Sequence, residues 1–256
     1  ITTIEEMDIC SKDSVERGLC DADIVVNCAA YTNVEGAEDN VDETRRVNRD
    51  GVANIAMICQ KHGIKLIHIS TDFVFGGDNS RTTPYIESDA TAPINVYGVT
   101  KAEGEAEALK SPKAIILRTS WLYAPWGKNF VLTMLRLGRE RDEISVVDDQ
   151  RGTPTSALGL ARAIVLMVDT DAIDTMRGIY HYTDGSECTW HDFACEIMQQ
   201  AGLACRVEPC ATKERNMRAE RPAYSVLDTA RIAAIKGIDI APWRERLKEV
   251  ISLINK

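Results

Sequence analysis

Asp23-Ile24-Val25-Val26-Asn27-Cys28-Ala29-Ala30 is a short, nearly continuous apolar run, the pattern of a strand buried on both faces of a parallel sheet. Downstream, a helical period runs from about Val41 to His62. Asn48, Val52, Ile55, Ala56 and Cys59 fall on one stripe, and Gly63 supplies the C-terminal stop. Lys65 to Ser70 is a second apolar strand. Strand, helix and strand in that order predict a right-handed parallel crossover. The alternation continues with a helix from the Tyr97 stretch to about Lys110, ended by Ser111-Pro112, and a third strand at Ala114 to Thr119. Helices at Asn129 to Arg141 and Ser156 to Val168 flank a short strand at Ile144 to Val147. The expected fold is α/β, an open doubly wound parallel sheet.

After about Asp171 the texture changes. A strand (Gly178 to Thr183), a helix (Trp190 to Ala201), a polar connector and two closing helices (about Asp228 to Lys236 and Pro242 to Ile254) predict a smaller mixed lobe. Residues 121–152 are assigned to it as well, leaving 1–120 and 153–170 to the sheet domain.

The 256 residues are 45% hydrophobic and 27% charged, ordinary for a globular chain with a sizeable core. A formal net charge of −9 argues against nucleic acid or an anionic membrane as partner, because both demand a basic footprint. No apolar run approaches the roughly 18 residues of a membrane span. Eight cysteines (10, 20, 28, 59, 188, 195, 205 and 210) form no C-x-x-C, and there are four histidines. The cysteines read as small buried hydrophobes in a reducing compartment, with no metal site and the cytoplasm as location.

Within Asn95-Val96-Tyr97-Gly98-Val99-Thr100-Lys101, Tyr97 and Lys101 are four apart and share a helix face. A free phenol titrates near ~10, and an adjacent cation lowers that value. Such a pair suits proton transfer to or from a carbonyl or alcohol. The plainer alternative is an exposed tyrosine beside a solvated lysine. In open α/β sheets ligands bind outside the carboxyl ends of the strands. Three strand ends converge on that rim: Ala29-Ala30-Tyr31-Thr32, Ser70-Thr71-Asp72 and Thr119-Ser120-Trp121. Thr71 therefore joins Tyr97 and Lys101 as a candidate, although a threonine at a strand end is commonly a cap. Asn48 reads equally as a buried amide satisfying backbone groups or as part of the site's hydrogen-bond network. Trp121, at the end of a buried strand, reads as core or lobe packing. Arg151 and Arg221 read either as charge-assisted donors to an anionic ligand or as surface ion pairs.

Asn27-Cys28-Ala29-Ala30-Tyr31-Thr32, Ser70-Thr71-Asp72-Phe73-Val74-Phe75, the Asn95-to-Lys101 motif with Gly104-Glu105, and Arg118-Thr119-Ser120-Trp121-Leu122-Tyr123 resemble the extended short-chain dehydrogenase/reductases. Within these, the chain resembles the dTDP-4-dehydrorhamnose reductase family, also through Asp149 to Thr155, Gly178 to His181, Thr189 to Asp192 and Arg221-Pro222. The resemblance implies a Rossmann-type dinucleotide-binding domain, a substrate-binding lobe, and hydride transfer from NADPH or NADH to the C4 ketone of dTDP-4-dehydro-L-rhamnose. It implies Thr71, Tyr97 and Lys101 as catalytic residues. Tyr97 would donate the proton, Lys101 would hold the nicotinamide ribose and lower the phenol's pKa, and Thr71 would bond the substrate carbonyl. Cofactor contacts fall on Asp8, Ile9, Ala30, Tyr31, Thr32, Tyr97 and Lys101, and substrate contacts on Thr71, Asp72 and Trp121. Mg2+ and homodimers occur in the family, but no ligand cluster in this sequence carries them over. The family's Gly-x-x-Gly-x-x-Gly turn has no match here, and the portion bearing it is expected ahead of Ile1. The alternatives are a related reductase or epimerase of another nucleotide-linked 4-keto sugar, and a non-catalytic nucleotide-binding regulatory subunit on the same fold.

Overall fold

The computed structural model describes residues 2–170 and 172–255; Asp171, where the second lobe is expected to begin, lies outside them. In chain order the principal elements of the first half are α1 Lys12–Leu19, β1 Ile24–Asn27, α2 Val52–His62, β2 Lys65–Thr71, α3 Val96–Ala108 and β3 Ala114–Thr119. There follow α4 Phe130–Glu140, β4 Glu143–Val147, α5 Ala157–Asp169, β5 Gly178–His181, α6 Trp190–Ala201, β6 Arg206–Cys210 and α7 Trp243–Ile254.

The central sheet has four strands in the order β1-β2-β3-β5, with every neighbouring pair parallel. Val25 stands opposite Leu66, Ile67 opposite Ile115, and Leu117 opposite Tyr180. All six residues of β3 are buried, the apolar Ala114 to Leu117 between two helical layers and Arg118 and Thr119 at the carboxyl end. β1 departs from the expectation. It is an edge strand among the described residues, with Val25 packed against the α1 and α2 layer and Val26, on the opposite face, 40% exposed. Gly178 to His181 also moves: expected in the smaller lobe, it is β5 of the central sheet, because Ile179 and Tyr180 register against the apolar Ile116 and Leu117. The closing helix expected at Asp228 to Lys236 is only Ala230–Ala233, and Ile232 is its one buried side chain.

The second lobe pairs β6 with β4 in parallel and packs α4, α6 and α7 around Val131, Leu135, Phe193, Ile197, Trp243 and Leu247.

Two features seat α3 against the sheet. Its N-cap Asn95 accepts from the Gly98 N–H at 2.7 Å and donates through Nδ2 to the Glu220 carbonyl of the second lobe at 2.7 Å. A Cβ on Gly98 would stand 2.1 Å from the Phe73 carbonyl oxygen, and one on Gly104 2.1 Å from that of Asn48. Only glycine permits such backbone approach. Asn48 itself lies in a π-helical turn, Arg46–Gly51, that leads into α2. The expected inward stripe holds, since Asn48, Val52, Ile55, Ala56 and Cys59 are all buried, and Gly63 ends α2 at φ 71°.

Candidate active site

A cleft of about 520 Å3 lies at the carboxyl ends of β1, β2 and β3, walled on one side by Tyr97 and Lys101 of α3. Ala30, Thr32, Thr71, Asp72 and Trp121 line it with them, so the three rims converge as the strand order requires.

Lys101 is buried, and its Nζ donates to the Ile69 carbonyl at 2.7 Å. Among the described residues no carboxylate stands at ion-pair distance from it. Burial pulls its ammonium down to about 8, against the opposing charge of Glu105 one turn on. Nζ also lies 3.4 Å from Nε2 of the buried His68. The Ala29 N–H donates to Asn27 Oδ1 at 3.1 Å, which turns the Asn27 amide NH2 toward His68 Nδ1 at 3.0 Å. Nδ1 is then an acceptor, and a neutral ring carries its hydrogen on Nε2. Burial and Lys101 hold His68 well below its ordinary value, so it is neutral. The ring therefore gives the ammonium no acceptor.

Tyr97 sits edge-to-face on Phe73 with centroids 5.7 Å apart. Burial pushes its phenol up to about 12, the neighbouring Thr71 hydroxyl pulls it back, and the Asp72 charge adds to the rise. This corrects the expectation that Lys101 lowers it. The lysine's amine is turned to the Ile69 carbonyl, which leaves desolvation to decide the phenol's shift. Thr71 Oγ1 donates to Asp72 Oδ1 at 3.1 Å and accepts from the Phe73 N–H at 3.2 Å. Asp72 Oδ2 accepts from Ser225 Oγ of the second lobe at 2.6 Å. Burial raises the Asp72 carboxyl to about 7 despite these bonds.

The family model described as RmlD substrate binding domain matches residues 1–255. The chain is 38% identical to the dTDP-4-dehydrorhamnose reductase of Sinorhizobium fredii over 255 residues, covering 95% of this chain and 85% of that one. The chain belongs to this family. Among solved structures, a dTDP-4-dehydrorhamnose reductase from Clostridium acetobutylicum superposes with a TM-score of 0.93 at 38% identity, over 100% of this chain and 90% of that one. The enzyme of the same name from Bacillus anthracis, solved in complex with NADP, gives 0.91 at 37% identity, over 98% and 89%.

As a dTDP-4-dehydrorhamnose reductase family member, the chain distributes its other expected residues unevenly. Asp8 and Ile9 do not line the cleft: Asp8 Oδ1 accepts from the Cys10 N–H at 2.9 Å, and Ile9 is buried in the α1 and α2 core. Tyr31 lies between Ala30 and Thr32 and is clamped by Asn48, whose Oδ1 accepts from its N–H at 2.8 Å while Nδ2 donates to its carbonyl and to Thr100. Asn48 thus ties the β1 rim to α3. Trp121 adopts φ 45°, uncommon for a bulky residue, and stacks on Trp190 at 3.6 Å over Gly152. Arg221 pairs with Glu35 at 2.6 Å and Arg151 with Glu187 at 2.9 Å. Cys28 is exposed and lines the cleft, against the expectation of a buried cysteine. Asp148, His191 and Asp192 could together reach a cation, but they lie outside the cleft, and Asp148 and Asp192 already bond Thr189. Mg2+ has no support in this geometry.

Sequence reasoning missed His68 beside Lys101, Asn27 that orients it, Trp190 as the platform for Trp121, and Ser225. Asn27 and His68 did carry a signal, as polar residues inside otherwise apolar strands.

Proposed function

We propose that the protein reduces the C4 ketone of dTDP-4-dehydro-L-rhamnose to dTDP-L-rhamnose with NADPH, by the action of Thr71, Tyr97 and Lys101. The observation that carries this is the meeting of a protonated phenol, a hydroxyl and a buried ammonium at one rim of the cleft, in a chain of this family.

The residues present fit the cofactor. The Lys101 ammonium has three N–H donors and spends one on Ile69, leaving two for ribose hydroxyls. Ala30 and Thr32 offer the β1 rim to the cofactor, and Tyr31 is fixed by Asn48. Thr119 Oγ1, on the cleft wall, is a buried hydroxyl without a partner among the described residues. NADPH, when bound, supplies the hydride. A phenol held near 12 keeps its proton at neutral pH, and yields it only to a base as strong as a nascent alkoxide. Thr71 polarises the ketone oxygen as charge develops there. Asp72 and Trp121 border the sugar.

The test is NADPH oxidation by the full-length protein with dTDP-4-dehydro-L-rhamnose, alongside other nucleotide-linked 4-keto sugars. Turnover fastest with the first is expected; cofactor binding without turnover of any sugar would sink the reading in favour of a regulatory subunit. Tyr97→Phe is expected to lower kcat by about 10²–10⁴, the usual contribution of a general acid, with cofactor affinity retained. Near-wild-type turnover in that variant would remove Tyr97 from the mechanism.

A further inference from the structure

The Tyr97 phenol stands at the inner end of a file of buried oxygens that crosses from the central sheet to the second lobe. Thr71 Oγ1, beside the phenol, donates to Asp72 Oδ1, and Ser225 Oγ donates to Asp72 Oδ2. Thr71 is 7% exposed, and Asp72 and Ser225 are 2% exposed. Ser225 then lines a second cavity, of about 180 Å3, together with Gln150 and Arg221. This cavity shares Phe73, Trp121 and Trp190 with the main cleft, but Ser225 borders only the smaller one.

A carboxyl is an expensive group to bury here, because among the described residues no cation pairs with it. An amide, with one acceptor oxygen, could not accept from Thr71 and Ser225 together; a carboxyl does, and it also brings an exchangeable proton into the file.

We propose that Ser225, Asp72 and Thr71 form a proton-supply route from the smaller cavity to Tyr97, resetting the phenol after each turnover. The proposal rests on the reductase reading above. Once the phenol has protonated the alkoxide, Tyr97 is a phenolate. Thr71 gives its hydroxyl proton to the phenolate oxygen as it takes the proton of the Asp72 carboxyl. Asp72, now a carboxylate, takes the Ser225 hydroxyl proton on Oδ2, Ser225 recovers one from solvent in the smaller cavity, and a half-turn of the carboxyl group brings the new proton round to face Thr71. At Thr71, Asp72 and Ser225 one O–H bond forms for each that breaks, and the net change is one proton moved from solvent to Tyr97. No electrons are transferred. A carrier must populate both forms at working pH, and the Asp72 carboxyl, raised to about 7, does so. Tyr97 from α3 is the titratable group that faces it; its other partners are Ser225 from the second lobe and Thr71 and the Phe73 N–H of its own turn.

The first turnover uses the proton that Tyr97 already holds, and only later turnovers need the route. Full-length protein preloaded with NADPH is mixed rapidly with dTDP-4-dehydro-L-rhamnose, and the first-turnover rate is compared with steady-state kcat. In Asp72→Asn, which keeps the size and shape of the side chain but carries no acid proton, the ratio of the two rates is expected to rise at least tenfold over wild type. Ser225→Ala should raise it less, and Ser225→Thr, which retains a hydroxyl, should restore it. Wild-type kcat should also fall as pH rises through about 7, a limb absent from Asp72→Asn. An unchanged ratio in Asp72→Asn, whether both rates persist or fall together, overturns the route. A wild-type protein that turns over no sugar overturns the reductase reading instead, and the route with it.

Discussion

Lys101 and Glu105 lie one turn apart on α3, both buried and both ionisable, and their surroundings could hardly differ more. Glu105 is fully answered: Arg118 donates to it twice, at 2.9 and 2.7 Å, and Ser70 Oγ donates at 2.5 Å. Arg118 in turn rests over the Phe75 ring at 5.0 Å. Lys101 has a single carbonyl and a neutral imidazole. A buried ion pair with its bonds satisfied holds structure together, whereas a buried charge without a counter-charge stores a free-energy penalty that a ligand can relieve. The second arrangement belongs to the cleft and the first to the wall behind it.

Three measurements probe this contrast. Arg118→Met strands Glu105 in the core, and the expected loss is about 3–5 kcal/mol, read by denaturant unfolding; a loss below about 1 kcal/mol would mean that the pair is not holding α3 to β3. Lys101→Met removes the unanswered charge, and should stabilise the fold by about 1–3 kcal/mol while turnover collapses. If that variant is less stable than wild type, the ammonium is not under strain. The smallest effect concerns pH. The folded value of Lys101, about 8, lies below its ordinary value of 10.5, so the penalty is complete below the folded value and fades as pH rises from there to the ordinary one. The stability gap between Lys101→Met and wild type should narrow over that window, and a constant gap would place its origin in packing.

The central sheet and the meeting of Thr71, Tyr97 and Lys101 at one rim were legible in the sequence because both follow local rules. Alternating apolar runs and helical stripes specify the crossover, and a four-residue spacing puts Tyr97 and Lys101 on one face. Thr71 followed from the strand-end rule. What escaped depends on contacts distant along the chain. Ser225 meets Asp72 across 153 positions, and His68 meets Lys101 across 33. Periodicity carries no information about either. The direction of the Tyr97 shift escaped for a related reason: an i, i+4 spacing fixes proximity but not where Nζ points, and the Ile69 carbonyl claims it. The place of Gly178 to His181 in the central sheet is a question of register, which four apolar residues cannot settle alone.

The two glycine contacts of α3 set how this site can change over evolutionary time. Because Gly98 and Gly104 bring the helix onto main-chain oxygens of Phe73 and Asn48, the separation between α3 and the strand ends is fixed by backbone, which substitution of neighbouring side chains does not resize. Trp121, Trp190 and Arg221 have no such tether. Drift in those positions can reshape the cavity walls while Tyr97 and Lys101 keep their place against the strand ends, so the width of the cleft and the seat of the phenol can vary independently.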